Sequence, residues 1–187
     1  MRIIKQKYMH KKFESEFAGK KILDLGCGEN KFKNAIGVDR SLNTDADVIY
    51  DLNLFPYPFK DDKFDFIICK QSIEHLLYSC KVMEEIYRIL KPNGVVILTY
   101  PHFSSYEAYM TPEHINKFSC FSFENPSLSK RYNTNFKTIR KKIYFGGGLK
   151  TILGIESIAN RFPEIYEKHF AFILPAIYVE IWLRAIK

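Results

Sequence analysis

The chain has 187 residues, of which 47% are hydrophobic and 26% charged, with a net charge of +7. These values fit a single soluble domain with a real core, and the chain shows no repeats and no low-complexity segment. The charge is uneven: residues 1–21 hold seven Lys/Arg against two Glu, and residues 130–150 hold seven against none. Two basic segments on an acidic remainder fit either solvated lysine faces or attraction to an anionic partner, nucleic acid included. The four cysteines, Cys27, Cys69, Cys80 and Cys120, show neither C-x-x-C pairing nor metal-like spacing. No apolar stretch of signal type follows the basic start, so a reducing cytoplasm is the expected compartment. The apolar tail 170–187 is short for a membrane span and broken by Pro175, Glu180 and Arg184, so it reads as core strand and no transmembrane segment is expected.

In chain order, residues 1–20 predict a basic amphipathic helix. Strand-like apolar runs follow at Lys21–Leu25, Ala35–Asp39, Ala46–Tyr50, Phe64–Lys70 and Val95–Tyr100. Val82, Met83, Ile86 and Leu90 share one face at helical spacing, which predicts a helix over Ser79–Leu90. Pro92-Asn93-Gly94 ends that helix and turns the chain into the next strand. Two late strands are expected at Asn135–Phe145 and Ile177–Ile186, with helical turns between them, and Gly146-Gly147-Gly148 reads as a flexible joint. Strand–helix–strand order argues for an α/β domain over 1–187 with a mostly parallel sheet. The connections after the first two strands are shorter than the dozen or so residues of a usual parallel crossover. Their helices must be reduced to turns, or one run is not a sheet strand.

The chemistry concentrates at Ile22-Leu23-Asp24-Leu25-Gly26-Cys27-Gly28, a buried strand ending in a glycine-pivoted loop. In an open α/β sheet such a turn faces the crevice where nucleotide-like cofactors bind. A second acidic strand end stands at Gly37-Val38-Asp39. Asp51-Leu52-Asn53, Phe64-Asp65-Phe66-Ile67-Ile68, Ile73-Glu74-His75-Leu76 and Leu90-Lys91-Pro92-Asn93-Gly94 follow. This ordered series, over roughly residues 20–101, resembles the class I S-adenosylmethionine-dependent methyltransferases, in a type 11-like form. A nicotinamide fingerprint would need a third Gly where Lys31 stands.

The resemblance implies a Rossmann-like fold with a closing antiparallel C-terminal strand pair, shortened after strands 1 and 2. It divides the chain into an N-terminal helix (1–20), a cofactor-binding half (21–101) and an acceptor side (102–187). It implies S-adenosylmethionine as cofactor and S-adenosylhomocysteine as product. By the same resemblance, Gly26, Cys27 and Gly28 bring backbone N–H groups to the ligand, and Asp24 orients that loop. Asp39, with Arg40 beside it, meets the ribose hydroxyls, Asp51 and Leu52 the adenine, and Lys70 and Gln71 the methionine end. A Lys beside a sulfonium departs from the family pattern.

Methyl transfer asks for in-line placement, and for a general base only where the acceptor must lose a proton. His102, after the fifth strand, is the candidate base. His75, His102, Phe103, Tyr106 and His114 are candidates to line the acceptor, within an aromatic-rich segment, 100–123, that serves as acceptor wall or as core. Glu74, His75, His102 and His114 have no spacing that favours a metal, and none is expected. The Asn/Asp-Pro-Pro-Tyr/Phe signature of nucleic-acid amino-methyltransferases is absent after the fourth strand, where Lys70-Gln71-Ser72-Ile73 stands. A small-molecule acceptor is therefore the leading expectation. RNA methylation through segments 1–21 and 130–150, or a non-catalytic cofactor-binding scaffold, are the alternatives. Oligomeric state is not legible.

Overall fold

The apolar run that opens the glycine loop forms the centre of the sheet. In the computed structural model, which describes residues 16–125, 130–146 and 154–187, Ile22–Leu25 (β1) is buried along its length. It pairs in parallel with Ile36–Asp39 (β2) on one side and Phe64–Lys70 (β4) on the other. Val48–Ile49 (β3) continues beyond β2, and Leu90–Pro101 (β5) lies in parallel beside β4. Phe136–Tyr144 (β6) and Tyr178–Ala185 (β7) complete seven strands in the order β3-β2-β1-β4-β5-β7-β6. β7 runs antiparallel to both β5 and β6. The expected α/β fold, mostly parallel with an antiparallel closing pair, is what the chain adopts.

Two packed faces follow from strand alternation. Leu23, Leu25, Ile67, Cys69, Val96 and Leu98 point to one face, where Ser79–Ile89 (α1) lays Val82, Met83, Ile86 and Ile89 against them. Full burial of such side chains stabilises by about 1.5–3 kcal/mol each. The other face carries Ile22, Phe66, Ile68, Val95, Ile97 and Trp182, covered by Phe17 and Phe32. Phe17 meets Phe32 and Phe66 edge-on, at 5.2 and 4.7 Å between ring centres.

The short connections after β1 and β2 contain turns and no helix, and both flanking strands are true sheet members. Polar clips hold them. Lys31 Nζ reaches Asp47 at 2.8 Å, Asp47 Oδ2 accepts the Gly37 N–H at 2.7 Å, and the Asp45 N–H donates to the Gly28 carbonyl at 3.0 Å. Gly37 is needed there, since a Cβ would stand 2.6 Å from Lys31 Cδ and 2.9 Å from Cys27 Sγ. Between β3 and α1, Arg88 joins Glu85 and Asp61 and donates to the Tyr57 and Phe59 carbonyls.

Several boundaries differ from expectation. β3 keeps two residues, because the chain bends away at both ends of the Ala46–Tyr50 run. α1 stops at Ile89, as Leu90 turns extended and pairs with Phe64. Residues 91–94 then bulge before Val95 pairs with Phe66. The helical turns between the late strands are Ile155–Arg161 (α2), a short turn at Pro163–Ile165 and a π-helical stretch at Tyr166–Phe170. Most of the expected N-terminal helix lies outside the described residues; Glu16 and Phe17 are helical. Gly147 and Gly148 of the expected joint also lie outside. Gly146 has φ +59°, and a Cβ there would meet Ile177 Cδ1 at 2.2 Å. Among the described residues no helix is long and apolar enough to cross a membrane.

Candidate active site

β1 delivers Asp24 to its carboxyl end, where burial pushes the carboxyl pKa up. The Phe32 N–H, donating to Asp24 Oδ2 at 2.7 Å, and the nearby Lys70 oppose that rise. Asp24 therefore closes the loop between β1 and β2 from beneath. Gly26 and Gly28 both take positive φ, +67° and +56°, in the left-handed region where a side chain is strained. A Cβ on Gly26 would stand 2.2 Å from Ser72 Oγ, whereas one on Gly28 would meet nothing within 4 Å. Gly26 is thus fixed by a close approach, and Gly28 borders open space. Ser72 Oγ donates to the Gly26 carbonyl at 3.1 Å, joining the loop to the end of β4.

Asp39 ends β2 with its two oxygens spread. Oδ2 accepts the Gly28 N–H at 3.0 Å and Oδ1 accepts the Ser41 N–H at 3.0 Å. Arg40 beside it is exposed. Asp51 Oδ1 takes both the N–H and the side-chain amide of Asn53, and Leu52 is a core residue whose carbonyl accepts the Tyr57 hydroxyl. The Cys27 thiol, pushed up to about 12 by burial and by Asp24 and Asp39, stays protonated. The Cys27 backbone N–H donates to the Val38 carbonyl at 3.1 Å, as that of Gly26 does at 2.8 Å. With Gly28 bonded to Asp39, the three N–H groups expected to meet the ligand are instead engaged within the protein.

Lys70 resolves its own oddity. Its ammonium lies 4.9 Å from the Phe32 ring centre and between the charges of Asp24 and Glu180. Burial pushes its pKa down, and the two carboxylates oppose that. Lys70 balances Asp24 on the covered face of the sheet. Gln71 turns the chain with φ +49°, its N–H donating to the Thr99 carbonyl at 2.8 Å. The residues present fit an adenosyl cofactor: two glycines at the required backbone angles, a spread carboxylate on the next strand, and a buried carboxylate under the loop.

The acceptor side departs from expectation. His102 is fully buried, with Nδ1 2.8 Å from Ser104 Oγ and Nε2 3.1 Å from Glu167 Oε1. Both ring nitrogens are engaged and none reaches solvent, so the expected base and acceptor-lining residue is a core histidine. Its partner Glu167, from the π-helical stretch, has no local sequence signal. It also accepts from Ser119 Oγ at 2.5 Å and from the Cys120 N–H at 2.7 Å. Burial alone would push the Glu167 carboxyl up. The His102, Ser119 and Cys120 donors outweigh it and hold the pKa at about 2.

The aromatic segment divides. Tyr100 and Phe118 are buried in edge contact at 5.2 Å, and Phe103, Phe121 and Phe123 pack partly buried against the core. Tyr106 and Tyr109 are exposed, so Tyr106 lines no enclosed wall. His75 and His114 come together instead, with ring centres 4.6 Å apart. Burial and the facing His114 push the His75 pKa down. In the described part of the basic segment 130–150, Arg140, Lys141 and Lys142 pair with Glu180, Glu124 and Glu156.

The sequence matches the family described as "Methyltransferase domain" over residues 4–130. A probable S-adenosylmethionine-dependent methyltransferase of Mycolicibacterium smegmatis is 31% identical over 101 residues, covering 46% of this chain and 39% of that protein. Phosphoethanolamine N-methyltransferase 2 of Caenorhabditis elegans is 27% identical over 111 residues, 48% of this chain and 25% of that protein. The matches thus span well under half the length of these relatives. The crystal structure of a SAM-dependent methyltransferase from Archaeoglobus fulgidus superposes with a TM-score of 0.71 at 16% identity, covering 98% of this chain and 94% of that one.

Proposed function

This chain belongs to the class I methyltransferase-domain family, and on that premise we propose that it transfers a methyl group from S-adenosylmethionine to a small-molecule acceptor. The observation that carries the reading is the paired geometry of Gly26–Gly28 and Asp39 over adjacent strand ends. When bound, the cofactor supplies a methyl group already activated on a sulfonium, so the protein's task is placement. Gly26 and Gly28 shape a backbone cradle that side chains would fill or strain. Asp39 offers carboxylate oxygens to vicinal hydroxyls, and Asp24 holds the loop closed against Phe32. The resemblance assigns the adenine to Asp51 and Leu52, in the turn after β3.

The small-molecule reading is favoured over RNA by the ion pairs that occupy Arg140, Lys141 and Lys142. The similarity to a phosphoethanolamine N-methyltransferase points the same way. The test is the thermal midpoint of the purified chain with and without S-adenosylhomocysteine, with D39A alongside. Ligand at about 100 times its Kd adds about 2.7 kcal/mol. At this chain length that raises the midpoint by about 5–10 °C. A rise lost in D39A supports the reading, and folded wild type that responds to neither S-adenosylmethionine nor S-adenosylhomocysteine overturns it. Release of S-adenosylhomocysteine across a panel of small acceptors then separates turnover from scaffold binding.

A further inference from the structure

Beside the glycine loop the fold assembles a second cluster that the spacing in sequence conceals. Glu74 and His75 sit in a 3-10 turn, Ile73–His75, just after β4, and His114 arrives from the loop that follows β5. One potential ligand atom from each lies within 4.8 Å of those of the other two. Glu74 and His114 are buried and His75 is half-buried. The two loops are pinned together next to the cluster. The Asn116 N–H donates to the Glu74 carbonyl at 3.1 Å, and the Asn116 side-chain amide donates to the Leu76 carbonyl at 2.6 Å.

The imidazoles are set in a specific way. His75 Nδ1 donates to the Glu113 carbonyl at 3.1 Å, and His114 Nδ1 donates to the Glu107 carbonyl at 2.8 Å. A carbonyl can only accept, so each Nδ1 carries a proton, and in the neutral ring it is Nε2 that holds the lone pair. Anchoring one ring nitrogen on a carbonyl while the other stays basic is how proteins orient metal-binding histidines.

We propose that Glu74, His75 and His114 form a binding site for one divalent transition-metal ion of the zinc class. Bonds of about 2.0–2.2 Å would draw the ligand atoms together by less than about 1 Å each. Two imidazoles and one carboxylate suit Zn²⁺ or a neighbouring first-row ion, whereas Mg²⁺ and Ca²⁺ take oxygen ligands. Three protein ligands leave a coordination position open, the mark of catalytic rather than structural zinc sites. Ser72, two residues before Glu74, touches Gly26, so the ion would sit at the carboxyl edge of the sheet beside the cofactor loop. Resting on the methyl-transfer reading, that open position would hold an oxygen of the acceptor and lower its proton affinity.

The test uses the full chain stripped with a chelator, titrated calorimetrically with Zn²⁺ alone and followed optically with Co²⁺ alone. One ion per chain is expected, with cobalt d–d bands of a low-coordinate site. E74Q, H75Q and H114Q should each weaken binding by more than about 100-fold, since changes even to outer-shell partners cost 10–100-fold. The exposed-histidine variant H169A and the thiol variant C80S should bind as wild type does. H75Q serves where substitution of the buried His114 prevents folding. Unchanged affinity in E74Q and H75Q overturns the proposal, and so does a stripped wild type that binds neither ion. The S-adenosylhomocysteine thermal shift is read on the same samples. Loss of that shift with metal binding intact defeats the methyl-transfer reading and leaves the metal site standing.

Discussion

The cofactor loops over β1–β3 and the acceptor side after β5 are held by opposite means. The first is fastened mainly by bonds between near neighbours in sequence, Asp24 to Phe32, Gly28 to Asp39 and Gly37 to Asp47, at separations of 8, 11 and 10 residues, with Ser72 reaching Gly26 from 46 residues away. The second is fastened by Glu167, which reaches back 65 residues to His102, 48 to Ser119 and 47 to Cys120. Short bonds let a ligand loop keep its shape without helices behind it. Long ones lock three segments into one wall, at the cost of burying charge. Local clips should therefore govern ligand affinity, and the remote carboxylate should govern whether the chain folds.

Removing Glu167 gives the sharpest contrast. E167A leaves buried donors from His102, Ser119 and Cys120 unanswered, and should lower stability by about 3–5 kcal/mol. Urea unfolding would show it, while S-adenosylhomocysteine affinity per folded molecule stays unchanged; a fall in affinity would merge the two regions. Acid tests the same residue. Its folded pKa of about 2 lies below its ordinary 4.5, so its stabilisation is complete above about pH 5. That contribution, about 3 kcal/mol, drains away as pH falls towards 2, and E167Q should flatten the dependence.

Smaller effects are expected in the loops. D39A removes a charged acceptor at the strand end and should cost about 1.5–3 kcal/mol of S-adenosylhomocysteine affinity, measured calorimetrically, with thermal stability nearly intact. D24A strips the Phe32 N–H of its acceptor and Lys70 of its counter-charge. A stability loss of about 1–3 kcal/mol in urea unfolding should accompany weaker cofactor binding. K31A opens only the exposed pair with Asp47 and should move the thermal midpoint least of all.

The same contrast explains what could be read from residue order. Asp24, Gly26, Gly28 and Asp39 lie at strand ends a few residues apart, so period and turn chemistry placed the loop, while the roles assigned to these residues came from the resemblance to the methyltransferases. The helix α1 and all seven strands were legible for the same reason, within a residue or two at most ends. Glu167 was invisible because nothing in Tyr166-Glu167-Lys168 distinguishes a solvated turn from a buried one. His102 looked like a base from its place after a strand, and only the return of the chain near Glu167 buries it. Glu74 and His114 belong to different loops, and the register of β4 and β5 together with the Asn116 bonds brings them together. Lys70 seemed misplaced until Phe32 and Glu180 closed over it.

The strand order also has a consequence for life at high concentration. A sheet ends in two edges that offer unpaired backbone groups to any passing strand. Here β3 is two residues long and gives almost nothing to copy. The opposite edge, β6, carries Lys137, Arg140, Lys141 and Lys142 along its length. Three of these are held in ion pairs with Glu180, Glu124 and Glu156, so long side chains are fixed across that edge. Toward the end of β6 the side chain of Asn160 bonds both the N–H and the carbonyl of Ile143, at 2.8 Å each, so α2 closes with one amide what the charged side chains leave open.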